Sequence, residues 1–161
     1  MRIPTWLAAT ILVALPISAY AQSTAQAPSD AAVTYLPADQ VKAAFAKGVP
    51  IVEVGDYKIH ASRREGPGMA EIHTRDTDIA YVLQGTATLV TGGTAVGVKA
   101  TGAEELRGTA MEGGETRELK VGDVVVIPNG TPHWFKQVTS PFLYYVVKVR
   151  QPERETAAGA M

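Results

Sequence analysis

From Ile51 to Val149 the chain is a succession of short β-branched and aromatic runs, each closed by a turn signal. Runs of this length cannot be laid out as a helical bundle or as alternating strand–helix units. They predict an all-β domain, a sandwich or barrel. The runs are Ile51–Val54, Tyr57–Arg64, Met69–His73, Ile79–Gln84, Ala87–Thr91, Arg117–Leu119, Val124–Pro128, His133–Val138 and Phe142–Val149. Between them stand Gly55-Asp56, Gly66-Pro67-Gly68, Gly92-Gly93, Gly122-Asp123, Asn129-Gly130 and Ser140-Pro141, residues whose backbones favour tight turns. Residues 92–116, rich in Gly, Thr and Glu, read as a long polar loop that forms a lid or rim. One helix precedes the strands. Val41, Ala44 and Phe45 fall at helical spacing over Pro37–Lys47, Pro37 suits the first turn, and Gly48 suits the stop.

The ends of the chain read differently. Met1-Arg2, the apolar run Trp6 to Leu15 and the small-x-small set Ala19-Tyr20-Ala21 make residues 1–21 a secretory signal, cleaved after Ala21. The apolar run is too short to span a bilayer, which takes roughly 20 residues. The mature protein is therefore expected in the periplasm or outside the cell, with no membrane attachment after cleavage. Residues 22–33 are small and polar, a flexible leader, and residues 151–161 a disordered tail, which leaves 34–150 as one folded domain. With 15 Lys+Arg against 16 Asp+Glu and no basic cluster, the chain offers nucleic acid no electrostatic footprint. The absence of cysteine excludes thiolate catalysis, Cys-ligated zinc and disulfides. Chemistry must come from carboxylates, three histidines, hydroxyls and metal.

Two segments supply such groups. In Glu71-Ile72-His73 the acid and the imidazole share one strand face, and Asp78 opens the next strand after a turn. His133 starts a later strand just past the rigid Pro128-Asn129-Gly130-Thr131-Pro132 turn. Two imidazoles and two carboxylates that converge would suit a mononuclear Mn, Fe, Ni or Zn site. Asp78 has an equal claim as a turn-capping residue. Phe135 shares the face of His133 and is a pocket residue. In the last strand Lys148 should not face a core, so the opposite face, with Tyr145, is assigned to the pocket. Arg63, alternating with Tyr57, Ile59 and Ala61, is expected to point inward, to a substrate carboxylate or to Glu71. His60 is then outward or interfacial, not a ligand. Arg107 in the long loop is an anion contact or a solvated side chain.

These segments resemble the paired motifs of the cupin superfamily. The second motif, G-x5-P-x-G-x2-H-x3-N, is met at Gly122, Pro128, Gly130 and His133, with Gln137 in the Asn position. The first, G-x5-H-x-H-x3–4-E-x6-G, is met at His73 and Gly85, with Glu71 in place of the first His, Asp78 in place of Glu, and Glu65 where its leading Gly would fall. The resemblance covers about residues 50–150. It implies a small jelly-roll-like double-sheet barrel with one short N-terminal helix, pairing as a homodimer. It also implies one divalent ion per chain, Mn, Fe or Zn, held by Glu71, His73, Asp78 and His133. Glu71 or Asp78 would then act as the proton-transferring catalytic group of an isomerase, lyase, decarboxylase or dioxygenase acting on a small organic molecule. A sparer shell of two histidines and one carboxylate, with the other acid free as a base, is equally compatible. The competing expectation is a metal-free binding or sensing module in which Arg63 pairs with Glu71.

Overall fold

The computed structural model describes residues 32–152. The chain divides into two units, Met1–Thr34 and Tyr35–Met161, and the second carries every element below. The expected signal and most of the expected leader and tail lie outside the described residues. No helix among the described residues is long and apolar enough to cross a membrane.

Helix α1 spans Ala38–Lys47, capped by Pro37 before it and by Gly48 after it. Gly48 adopts φ 67°, a left-handed stop, and its N–H bonds the Ala44 carbonyl at 2.8 Å. The strands are β1 (Pro50–Glu53), β2 (Tyr57–Arg64), β3 (Ala70–His73), β4 (Asp76–Gln84), β5 (Ala87–Thr91), β6 (Thr94–Val96), β7 (Lys99–Gly102), β8 (Glu105–Gly108), β9 (Ala110–Glu112), β10 (Glu115–Leu119), β11 (Val124–Ile127), β12 (His133–Val138) and β13 (Phe142–Arg150). One sheet runs β1-β2-β13-β4-β11 and the other β10-β5-β12-β3-β8-β7, with a small ribbon β6-β9. All the pairings are antiparallel.

Side chains from both sheets meet in one core: Val82, Phe142, Tyr144 and Val146 from the first, Ala87, Leu89 and Phe135 from the second. Phe135, Phe142 and Tyr144 stack with ring centroids 5.1 to 5.7 Å apart. Val82 is 1% exposed within this layer. Trimming it to alanine is expected to lower unfolding free energy by about 2 kcal/mol, from lost transfer energy plus a small cavity. Urea denaturation would measure it, with an unchanged slope.

The expectation of a long loop over 92–116 is corrected: this stretch holds β6 to β9 and the start of β10. Its strands are three to five residues long and carry Thr, Lys and Glu without clean alternation, so no period announces them. Close crossings of the backbone explain two of its glycines. A Cβ at Gly93 would lie 2.5 Å from the Glu112 carbonyl oxygen, and one at Gly114 would lie 2.8 Å from that of Thr91. Gln151 is anchored rather than frayed, its N–H on the Arg75 carbonyl at 2.8 Å and its own carbonyl on the Arg75 guanidinium.

Candidate metal centre

Strand register builds the site. Glu71 on β3 stands opposite His133 on β12 and opposite Arg107 on β8, so its carboxylate lies between an imidazole and a guanidinium. His73, two residues on, shares its face. The turn before β12 is tied to the same strand, because the Gly130 N–H bonds the His73 carbonyl at 2.8 Å and Gly130 sits at φ 79°. Asn129 adds a hydrogen bond to the Thr74 carbonyl at 3.2 Å. The turn that delivers His133 is thus fixed to the strand that delivers Glu71 and His73.

One ligand atom from each of Glu71, His73 and His133 lies within 4.8 Å of the others. Glu71 Oε2 is 3.8 Å from His73 Nε2 and 3.9 Å from His133 Nε2. These contacts are too long for hydrogen bonds. The two rings are 5.1 Å apart and tilted by 50°. His133 Nδ1 lies 3.1 Å from the Thr131 carbonyl, which can only accept, so Nδ1 holds the proton and Nε2 presents its lone pair to Glu71 and His73. His73 Nε2 is buried without a hydrogen-bond partner. Burial pushes both imidazoles below the ordinary 6.5, with Lys148 adding to the shift at His73, so both are neutral at pH 7. The His133 Nε2 lone pair, the unpartnered His73 Nε2 and a carboxylate oxygen, gathered with no hydrogen bond among them, leave buried polar atoms unsatisfied in a way that a cation resolves, and the set fits a divalent ion.

The other carboxylate oxygen has its own partners. Glu71 Oε1 accepts from Arg64 Nη2 at 3.1 Å, and Arg107 Nη1 stands 3.6 Å away. Burial would raise the Glu71 carboxyl, but Arg64 outweighs it by charge and hydrogen bond, and the group is held below the usual carboxylate range. Arg64 is fixed in turn by the Tyr144 hydroxyl, 3.1 Å from its Nε, and by the Phe135 ring, 4.6 Å below its guanidinium carbon. Burial opposes the Arg64 charge, yet Tyr144 and Glu71 together leave it more firmly protonated than usual.

Asp78 lies across the sandwich on β4, 3.4 Å from His73 Nε2. Both its oxygens are 2.7 Å from Lys148 Nζ, its register partner on β13. Among the described residues the mutually close set is Glu71, His73 and His133, with Asp78 beside it at His73. A cavity of about 300 Å³ opens beside them, lined by Phe135 as expected and also by His60, Arg107, Tyr144 and Lys148. A larger cleft of about 630 Å³ runs along β10 and β11, but none of the three donors lines it.

Several expected assignments are corrected here. It is Arg64, not Arg63, that pairs with Glu71. Arg63 stays at the cavity rim with its guanidinium on exposed Glu65. Tyr144, not Tyr145, faces the cavity, and His60 points in rather than out. The expected face of β13, assigned on the premise that Lys148 cannot point inward, and that of β2, assigned from its apolar Ile59 and Ala61, are both reversed. Asp78 neutralises the Lys148 charge, so Lys148, Val146, Tyr144 and Phe142 form the inner face, opposite Arg64, Ser62 and His60. Arg107 lies on β8 and not in a loop.

A family model described as Cupin matches residues 39–160. No curated protein sequence is significantly similar to the chain. Among solved structures, a Bacillus halodurans protein aligns with a TM-score of 0.51 at 14% identity, over 72% of this chain and 79% of its own. Hydroquinone 1,2-dioxygenase from Sphingomonas sp. TTNP3, with 4-hydroxybenzoate bound, aligns at 0.48 and 16% identity, over 65% of this chain and 66% of its own. A cupin protein from Bacteroides fragilis aligns at 0.44 and 14% identity, over 71% and 87% respectively.

Proposed function

The chain belongs to the cupin family, and on that premise we propose that Glu71, His73 and His133 hold one divalent metal ion beside a cavity that binds a small organic molecule. The observation that carries this reading is the convergence of Glu71 Oε2 with the Nε2 atoms of His73 and His133 without a hydrogen bond among them, His73 Nε2 being buried and unpartnered. Two imidazoles and one carboxylate favour Mn, Fe or Zn over softer ions. When bound, such an ion supplies a Lewis acid for substrate oxygens, the chemistry of isomerases, lyases and decarboxylases, or, as iron, the capacity to react with oxygen.

The chain's own groups take separate parts. Arg64 holds Glu71 Oε1 so that Oε2 stays turned to the imidazoles. Asp78, outside the trio and hydrogen-bonded by Lys148, is the group placed to move a proton on a bound molecule, which relieves Glu71 of that role. Phe135, Ile127 and Val146 give the cavity an apolar wall.

Metal content tests the reading. Mature protein from Gln22, purified without tag or chelator, is expected to carry about one ion per chain by mass spectrometry. No metal after reconstitution with excess Mn, Fe and Zn overturns it. The Arg64–Glu71 ion pair at 3.1 Å favours a second reading, a metal-free binding module, which that outcome would select. Export with cleavage after Ala21 and pairing as a homodimer belong to the same proposal. The first is checked by the N-terminal sequence of the protein recovered from the periplasm, the second by light scattering.

A further inference from the structure

The cavity's fixed charges come in matched pairs. Arg64 faces Glu71, Lys148 faces Asp78, Arg107 faces Glu105, and at the rim Arg63 faces Glu65. A divalent ion entering on two neutral imidazoles and Glu71 brings two positive charges and finds no carboxylate left over. In a partly enclosed site such an excess is poorly screened, and a ligand that carries negative charge cancels it.

Two side chains have capacity that the fold does not use. Arg107 on β8 directs Nε and Nη2 at a single oxygen of Glu105, at 2.7 and 2.5 Å. Its Nη1 stands 3.6 Å from Glu71, too far for a hydrogen bond, and the side chain is 36% exposed at the cavity. Arg64, by contrast, is held by Glu71, Tyr144 and Phe135 together. On the opposite sheet His60 lines the same cavity with a buried Nε2 that has no hydrogen-bond partner, its nearest carboxylate oxygen being Glu53 Oε1 at 3.8 Å. A buried polar atom without a partner is an unmet demand in the fold, and its side chain lines this cavity.

We propose that the cavity takes a compact organic anion, with Arg107 as the chain's contact for its charged group and His60 as the polar contact on the facing sheet. The inference rests on the metal reading above and names the ligand class of that site. A cavity of about 300 Å³ holds about ten non-hydrogen atoms. Phe135, Ile127 and Val146 line one part of the cavity and can pack against the body of such a ligand.

The test uses mature protein loaded with zinc, a redox-silent ion, and compares benzoate with benzamide by titration calorimetry. The two probes share shape and differ in charge. Benzoate is expected to bind at least tenfold more tightly. In Arg107→Gln that preference should fall by about tenfold, and in His60→Phe both probes should weaken severalfold with their ratio unchanged. Zinc content is measured on every sample. A protein that takes up neither zinc nor, on reconstitution with excess, Mn or Fe overturns the metal reading and this inference with it. Zinc uptake with equal binding of the two probes, or with neither bound at millimolar concentration, overturns this inference alone. A preference for benzoate that survives unchanged in Arg107→Gln removes Arg107 from it.

Discussion

The His133→Ala and His73→Ala proteins are expected each to lose divalent-metal affinity by on the order of 100-fold or more, while His60→Ala keeps it. Removing an outer partner of a ligating histidine alone typically costs about 10- to 100-fold, so losing the ligand itself costs at least the upper figure. The chain has three histidines, and His60, although it lines the same cavity, is not among the three converging donors. It therefore controls for any nonspecific effect of removing an imidazole. The pH profile follows from the same geometry. Metal competes with protons for the ligands, and burial keeps both His73 and His133 below the ordinary 6.5, so affinity should fall on acidification at lower pH than it would for ordinary imidazoles. Far-UV circular dichroism of the metal-free proteins separates loss of ligand from loss of fold, which matters most for His133, only 2% exposed. If either single variant at His73 or His133 binds metal as wild type does, the trio is not the site.

What could be read from the residues alone followed the strength of local signals. The Pro128-Asn129-Gly130 turn, the spacing from Gly122 to His133 and the helix between Pro37 and Gly48 combine backbone-restricting residues at fixed offsets, and the elements form where those residues place them. That Glu71 and His73 share a face needed only the two-residue period of a strand. The face of β13 was lost because a strand's parity cannot be settled when its one charged residue has a partner distant in sequence. Lys148 and Asp78 are 70 residues apart, and nothing local tells that the two meet. The same inversion on β2 exchanged Arg63 for Arg64 and turned His60 outward, a one-residue slip moving every side chain to the other face. Arg107 was hidden for another reason. Strand β8 is four residues of mixed polarity, and it forms because β3 and β7 flank it, not because its own sequence prefers a strand.

The Arg64→Met protein, assayed metal-free in chelator, is expected to be about 3–5 kcal/mol less stable than wild type at pH 7. Arg64 and Glu71 are 18% and 10% exposed in their side chains, so the methionine would leave a buried carboxylate facing two imidazoles with Arg107 too distant to replace the lost hydrogen bond. The Tyr144 hydroxyl would lose its donor and Phe135 its overlying cation at the same time. The sign of the pH dependence separates this account from a loss of packing. In wild type the Glu71 carboxyl is held below its ordinary 4.5, so its contribution is present above that value and disappears as pH falls through the lowered one. Without Arg64, burial is opposed only by the lesser influences of His133 and Arg107, so the carboxyl rises from its wild-type position and the variant loses less stability than wild type on acidification. The difference between the two proteins should therefore be widest at neutral pH and shrink toward pH 4. Adding Glu71→Gln to Arg64→Met removes the unpaired charge, and should restore much of the stability at pH 7 while leaving metal affinity low. A cost under about 1 kcal/mol is what a solvent-exposed ion pair would give. That result, or a difference independent of pH, would mean that Arg64 is not what keeps Glu71 ionised and aimed at the two imidazoles.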